Sequence, residues 1–322
     1  MTLRAWCFAL AIIAAPQPPP QAAPAVDHHQ HIFSPAIAAL ISRPPPAEPL
    51  KAIDADRLIA LLDAAGIKRA AVHSVAYMYG SPARKVENEY EKVKAENDWT
   101  SQQVARYPDR LRGFCGVNPL KDYALKELDR CAKDPHLRWG LKLHFGNSVV
   151  DYHNAGHLDQ LKGILRAANR HGMAVVVHMR ASISQKAKYG REEAEIFLHE
   201  LVPAAPDVPI QIAHLAGAGG YGDPLVDAAL SAFVDAIAKG DSRTRRLYFD
   251  VTSVALEDSK PEELALLATR IRQLGVTRVV YGSDAAAPPN LAPREGWAAF
   301  RRVPLTDQEF QTIATNVAPY MR

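Results

Sequence analysis

His29 and His31 stand two residues apart in the run Val26-Asp27-His28-His29-Gln30-His31. On a strand that spacing points both imidazoles to one face. Two imidazoles converging on one face suit a zinc-like ion. The pair alone is a weak signal, because histidine-rich surface turns share it. Other residues of the same chemical kind end apolar runs further along. His178 closes Ala174-Val175-Val176-Val177, His214 closes Ile210-Gln211-Ile212-Ala213, and Asp284 follows Val279-Val280-Tyr281-Gly282-Ser283. Singly these have plain explanations: a hydrogen-bonded core histidine, or an aspartate capping the next helix. Gathered in one place, they would hold a divalent metal ion. Such an ion lowers the pKa of its water to about 7, and a carboxylate beside that water can relay its proton.

What gathers them must be a fold whose strand ends meet. Short apolar runs alternate with amphipathic segments along most of the chain. The runs predict strands at Ala25–His31, Arg69–Val75, Arg112–Val117, Gly140–His144, Ala174–His178, Ile210–His214, Leu247–Val251 and Arg278–Tyr281. Between them the 3.6-residue pattern predicts helices at Asp56–Ala65, Lys85–Tyr107, Asp122–Lys133, His157–His171, Glu192–Val202, Pro224–Lys239 and Pro261–Leu274, and a last one from Thr306. Gly66, Gly172 and Gly275 stand where helix C-termini need a left-handed residue. Eight strand–helix units in series are the pattern of an α/β fold of the (β/α)₈ TIM-barrel type. A doubly wound open sheet alternates similarly, so the count does not decide. In a barrel the carboxyl ends of strands one, five, six and eight ring one rim, where barrel enzymes build their sites.

With these residues placed, the set Asp27-x-His29-x-His31, His178, His214 and Tyr281-Gly282-Ser283-Asp284 resembles the amidohydrolase superfamily. The likeness is to its amidohydrolase-related branch, which includes aminocarboxymuconate-semialdehyde decarboxylase and 2-pyrone-4,6-dicarboxylate lactonase. It runs from about Val26 to the end, where Asn316 in Thr315-Asn316-Val317-Ala318 looks like that branch's closing motif. The resemblance implies one divalent ion, of the zinc type, held by His29, His31, His178 and Asp284. Asp284 would also take a proton from the bound water. His214 would sit just off the metal, as an acid or a clamp on a substrate oxygen. Asp27 would orient a histidine or a turn. In binuclear relatives a strand-four lysine is carboxylated and bridges two metals; Lys142 lies on the corresponding strand. The branch usually holds one metal, which makes Lys142 an inward cation near the substrate.

Several neighbours are candidates for the substrate. Lys142 and His144 end strand four with the same two-residue spacing as the first histidine pair. His144 could meet the substrate or a loop. Arg180 lies two residues past His178 and could hold a substrate carboxylate through two parallel hydrogen bonds, or be a solvated loop arginine. Tyr77, Met78 and Tyr79 after strand two, and Arg43-Pro44-Pro45-Pro46 after strand one, could wall a pocket. One feature points elsewhere. Gly217-Ala218-Gly219-Gly220-Tyr221-Gly222 matches a dinucleotide fingerprint after a strand and before a helix, which would make the protein an NAD-dependent oxidoreductase. Against it, the motif follows the sixth strand, Pro224 opens the helix, and no acidic residue ends the next strand at the required distance. A glycine-rich rim to the pocket is the simpler account.

The chain has 322 residues, 48% hydrophobic and 23% charged, with a net charge of +3. One barrel absorbs that length. No long basic run points to nucleic acid. Arg4, the short apolar stretch Trp6–Ala15 and Ala23-Pro24-Ala25 read as a signal peptide with a proline-rich end. Residues 1–25 would then be removed, leaving a catalytic domain at 26–322 in a secreted or periplasmic location with no membrane anchor. Cys115 and Cys131 would remain, as two buried thiols or as one disulfide. The expected partner is a small-molecule substrate; a homodimer is left open. The expected reaction is metal-assisted hydrolysis of a small carboxylate-bearing ester, lactone or amide. Non-oxidative decarboxylation of an unsaturated or aromatic acid is the alternative.

Overall fold

A computed structural model of the chain describes residues 22–42, 50–180, 188–285 and 290–322. The leader through residue 21 and the Arg43–Pro46 wall lie outside them. Among the described residues, eight parallel strands follow one another around a barrel in the order in which they occur in the chain. They are β1 (Val26–His31), β2 (Arg69–His73), β3 (Leu111–Gly116), β4 (Gly140–His144), β5 (Ala174–His178), β6 (Ile210–Ile212), β7 (Leu247–Asp250) and β8 (Val279–Val280). The His28 N–H donates to the Tyr281 carbonyl and the Asp284 N–H to the His29 carbonyl, both at 2.8 Å, which stitches the chain at β8 back to β1. The helices are α1 (Pro35–Ile41), α2 (Ala55–Ala65), α3 (Glu89–Ala105), α4 (Ala124–Cys131), α5 (Phe145–Ser148), α6 (Ala155–Arg170), α7 (Arg191–Ile196), α8 (Pro224–Ala238), α9 (Pro261–Leu274), α10 (Pro293–Phe300) and α11 (Asp307–Thr315). None is long and apolar enough to cross a membrane.

Alternation along the strands sorts the core into two layers. Leu141, Leu143, Val175 and Val177 join the helices in the outer layer. Phe114, Ala174, Val176 and Val280 turn inward with Ala318, Tyr320 and Met321, so the chain after α11 fills the barrel floor. Gly140 faces that interior because a Cβ there would stand 2.0 Å from the Phe114 ring. Local signals set the helix limits. The Asp54 carboxylate accepts the Arg57 N–H at the start of α2, and Gly66, at φ 72°, ends it. Thr306 and Glu309 form a reciprocal capping box on α11.

Four expectations need correction. The helix expected over Glu192–Val202 is α7 followed by a π turn and a 3₁₀ turn, Pro203 being unable to donate in a regular helix. β6 stops at Ile212 rather than His214, because His214 and Leu215 take left-handed backbone angles (φ 52° and 49°). Gly275 has positive φ but an extended ψ of 116°, unlike the left-handed caps Gly66 and Gly172. Helices α1, α5 and α10 were not expected, although Ser34-Pro35 is a start signal in plain view. Cys115 and Cys131 are joined in a disulfide that ties β3 to α4.

Candidate metal centre

The first strand carries an irregularity that matters. Three steps along β1, from Asp27 to Gln30, match two along β2, from Ala70 to Val72. The extra residue lets two consecutive histidines face inward. His28 goes to the floor, where its Nδ1–H donates to the Tyr281 carbonyl and its Nε2 accepts the Ala318 N–H. His29 goes up, among His31, His73 and His214, with ring centroids 4.8–5.4 Å away.

Three of these upper imidazoles, those of His29, His31 and His214, are held by Nδ1. His29 Nδ1–H donates to the Asp250 carboxylate at 3.0 Å, His31 Nδ1–H to the His73 carbonyl at 2.7 Å, and His214 Nδ1–H to the Thr252 carbonyl at 3.0 Å. An acceptor on Nδ1 fixes the tautomer and leaves Nε2 as a lone pair, the arrangement of histidines that ligate metals. Burial holds these rings neutral: it pushes His29 well below the ordinary histidine range, helped by Lys142, and His31 down to about 3.

Asp284 faces them from the turn after β8. Its backbone is left-handed, at φ 53°, and its N–H and carbonyl are bonded to the His29 carbonyl and to Asn290. Asp27 prepares that turn by accepting the N–H and the hydroxyl of Ser283. Gly282 gives it passage, since a Cβ there would lie 2.6 Å from the His29 Cβ. Asp284 Oδ1 is buried without a hydrogen-bond partner among the described residues and stands 3.7 Å from His31 Nε2. Burial, reinforced by repulsion from Asp250 and Asp27 and opposed by Lys142, raises its pKa. The ligand atoms of His29, His214 and Asp284 lie within 4.8 Å of one another. Imidazole lone pairs around a carboxylate oxygen are a donor set that fits a divalent ion.

Lys142 reaches the same point from β4, fully buried, and donates to His29 Nε2 at 2.9 Å. His178 is half-buried, stacked on His144 at 4.0 Å and edge-on to His214 at 5.1 Å, so it borders the set without joining the groups whose ligand atoms converge. His144 Nδ1 accepts the Asn147 N–H at the start of α5. His29, His31, Lys142, His144, His178, His214 and Asp284 line a cavity of about 230 Å³, with Tyr77 and Met78 among its apolar walls. Tyr79 packs instead with Phe33, Ile37 and Val93. Ala218, Ser253 and Asn290 are shared with a second cavity of about 520 Å³, rimmed by Glu257 and Asp258.

Two expectations find another place. Arg180 turns away from the cavity: its guanidinium donates to Asp223 at 2.5 Å and lies over the Tyr189 ring, drawn by the carboxylate that caps α8. That carboxylate also speaks against a dinucleotide. Asp223 stands at the α8 N-terminus, where a pyrophosphate would bind, and a Glu263 carboxylate oxygen lies 2.7 Å from where a Gly222 Cβ would be. The glycine-rich segment borders the cavities instead, through Ala218 and Gly219. Two residues escaped the sequence reading. Asp250 ends β7, fully buried, and accepts from His29, Gln211 and the His214 and Thr252 N–H groups. His73 ends β2 beside His29 and His31.

Comparison with known proteins agrees with this picture. A family model described as Amidohydrolase matches residues 26–316. A search of curated protein sequences finds no match. Among solved structures the chain is similar to 5-carboxyvanillate decarboxylase LigW from Sphingomonas paucimobilis, at 17% identity and a TM-score of 0.61, over 90% of this chain and 96% of that one. It is similar to a candidate 2-pyrone-4,6-dicarboxylic acid hydrolase from Pseudomonas putida, at 18% identity and a TM-score of 0.61, over 92% and 97%. It is also similar to a 5-carboxyvanillate decarboxylase from Novosphingobium aromaticivorans with bound manganese, at 14% identity and a TM-score of 0.61, over 94% and 97%.

Proposed function

The chain belongs to the amidohydrolase family, and from that premise we propose that it is a metal-dependent hydrolase of a small ester, lactone or amide that carries a carboxylate. The observation that carries this reading is the Asp284 oxygen, unpartnered among the described residues, facing imidazoles that are anchored by Nδ1 and present Nε2 lone pairs, that of His29 held by the Lys142 ammonium. His29, His31 and Asp284 would hold the ion, with His178 closing the set from β5. When bound, it supplies a Lewis acid that polarises a substrate oxygen and acidifies water.

The protein's own groups do the rest. Asp284 accepts the proton of the attacking water and passes it to the leaving group. His214, anchored by Thr252 and through its backbone by Asp250, would clamp the oxygen that gains charge as an imidazolium, with a second proton on Nε2. Lys142 is the cation that lines the cavity among the described residues, and its ammonium pairs with the substrate carboxylate. Arg180, tied to Asp223, holds the rim of the barrel rather than the substrate. A cavity of about 230 Å³ suits a single-ring substrate, with room beyond it in the second cavity.

Lys142 also favours the second reading, a carboxy-lyase, since a buried ammonium can position a carboxylate that departs as carbon dioxide. The zinc-loaded protein is to be incubated with a panel of lactones and of hydroxylated aromatic acids in ¹⁸O-water. Label entering a ring-opened acid supports hydrolysis. Release of carbon dioxide without label in the organic product replaces it with decarboxylation. We also infer export: the Cys115–Cys131 disulfide suits an oxidising compartment. The intact mass of protein from the native host checks this, a chain beginning near Val26 being expected and an uncut leader refuting it.

A further inference from the structure

His73 is fully buried at the end of β2, and neither of its ring nitrogens has a hydrogen-bond partner among the described residues. A neutral imidazole carries one N–H and one lone pair. Leaving both unmade inside a protein is costly, and an orphan of this kind calls for a bound group that satisfies it. The ring packs edge-on against Phe114 at 5.0 Å, which offers at most a weak N–H···π contact. On its other side stand His29, at 5.0 Å between centroids, and His31, at 5.6 Å. One nitrogen from each of the three rings lies within 4.8 Å of the others. Two imidazole nitrogens on one tetrahedral ion are about 3.4 Å apart, so side-chain rotation has to draw the three nitrogens closer for the group to close. The backbone already links them, because the His73 carbonyl holds His31 Nδ1–H at 2.7 Å.

We propose that His73 is a further ligand of the divalent ion, so that β1 and β2 together present a face of three imidazoles: His29, His31 and His73. The inference rests on the metal reading above and deepens it. A face rich in nitrogen selects borderline ions such as zinc or cobalt and discriminates against magnesium and calcium, which prefer oxygen. His73 touches the ion rather than the substrate, so its loss acts on metal affinity and on the ion's spectrum.

The test is a cobalt titration of the metal-stripped, full-length mature protein, followed by visible absorption. Wild type, His73→Leu, His73→Gln and His29→Ala are compared, and the thermal midpoint of each is measured without metal. The expected result is a wild-type d–d band that His73→Leu and His73→Gln shift and bind at least about tenfold more weakly. Metal-free His73→Leu should melt no lower than wild type, since it removes an unpartnered buried ring. If both His73 variants keep the wild-type band and midpoint while His29→Ala loses them, His73 is no ligand and the metal reading stands. If wild type binds no cobalt, both readings fall. X-ray absorption on the wild-type cobalt protein gives a check that needs no variant: an imidazole count that leaves no place for His73 overturns the inference.

Discussion

Asp284→Asn is expected to keep the fold and to lose about 10²–10⁴-fold in kcat at saturating metal. Asparagine has nearly the same shape. It preserves the backbone bonds of Asp284 to the His29 carbonyl and Asn290. What it removes is the charge of an oxygen that is buried, unpartnered and 3.7 Å from His31 Nε2. A carboxamide cannot take a proton from water, so the chemical step fails while substrate binding through Lys142 persists. The same side chain is expected to help hold the ion, so metal content is measured beside kcat. A weaker metal midpoint with full kcat once saturated would leave Asp284 a ligand and strip it of its proton-transfer role. Activity and affinity both near wild type would sink the proposed centre as a whole.

Asp250→Ala is expected to be the most destabilising single change near the site. The carboxylate is fully buried and accepts from the His29 ring, the Gln211 amide and the N–H groups of His214 and Thr252. Each donor left without an acceptor in the interior costs roughly 1–3 kcal/mol. These costs do not simply add, but together they approach the whole stability of an ordinary domain, about 5–15 kcal/mol. Asp250→Asn is the informative companion. It keeps one acceptor oxygen and turns an NH₂ group towards donors. His29 can then place its proton on either nitrogen, and metal affinity should fall about 10–100-fold. Thermal unfolding reads the first effect and metal titration the second. An unchanged midpoint in Asp250→Ala, or unchanged affinity in Asp250→Asn, would show that the carboxylate neither supports the loops nor orients the ring.

The barrel was legible because its strands are apolar enough, and its helices amphipathic enough, to announce their periods. Runs such as Val175-Val176-Val177 fit burial on both faces, and the structure places them between the helices and the barrel interior. The strand-end rule brought His29, His31, His178, His214 and Asp284 to one rim, where they line a common cavity. It should also have found His73 and Asp250, which end β2 and β7 in the same way. His73 lies inside the strand expected over Arg69–Val75, two residues short of its end, and Asp250 lies one residue inside the strand expected over Leu247–Val251, so neither stands at an expected strand end. Other features had no sequence signal. Nothing in His214-Leu215 predicts left-handed backbone angles, because only the surrounding structure stabilises them. Arg180 was two residues from His178, yet spacing cannot reveal the Asp223 carboxylate, which is distant in sequence and adjacent in space.

The extra residue in β1 has a consequence for how this chain can vary. Side chains on a strand alternate between faces, so position is counted in odd and even steps. With the irregularity, His28 seals the floor while His29 and His31 serve the cavity. Deleting one residue between Asp27 and Gln30 would remove His28 or His29 and return the strand to regular alternation. A single inward position would then replace the two that serve the floor and the cavity. In this segment length is under as much constraint as chemical identity, because an insertion or deletion changes how many side chains face inward.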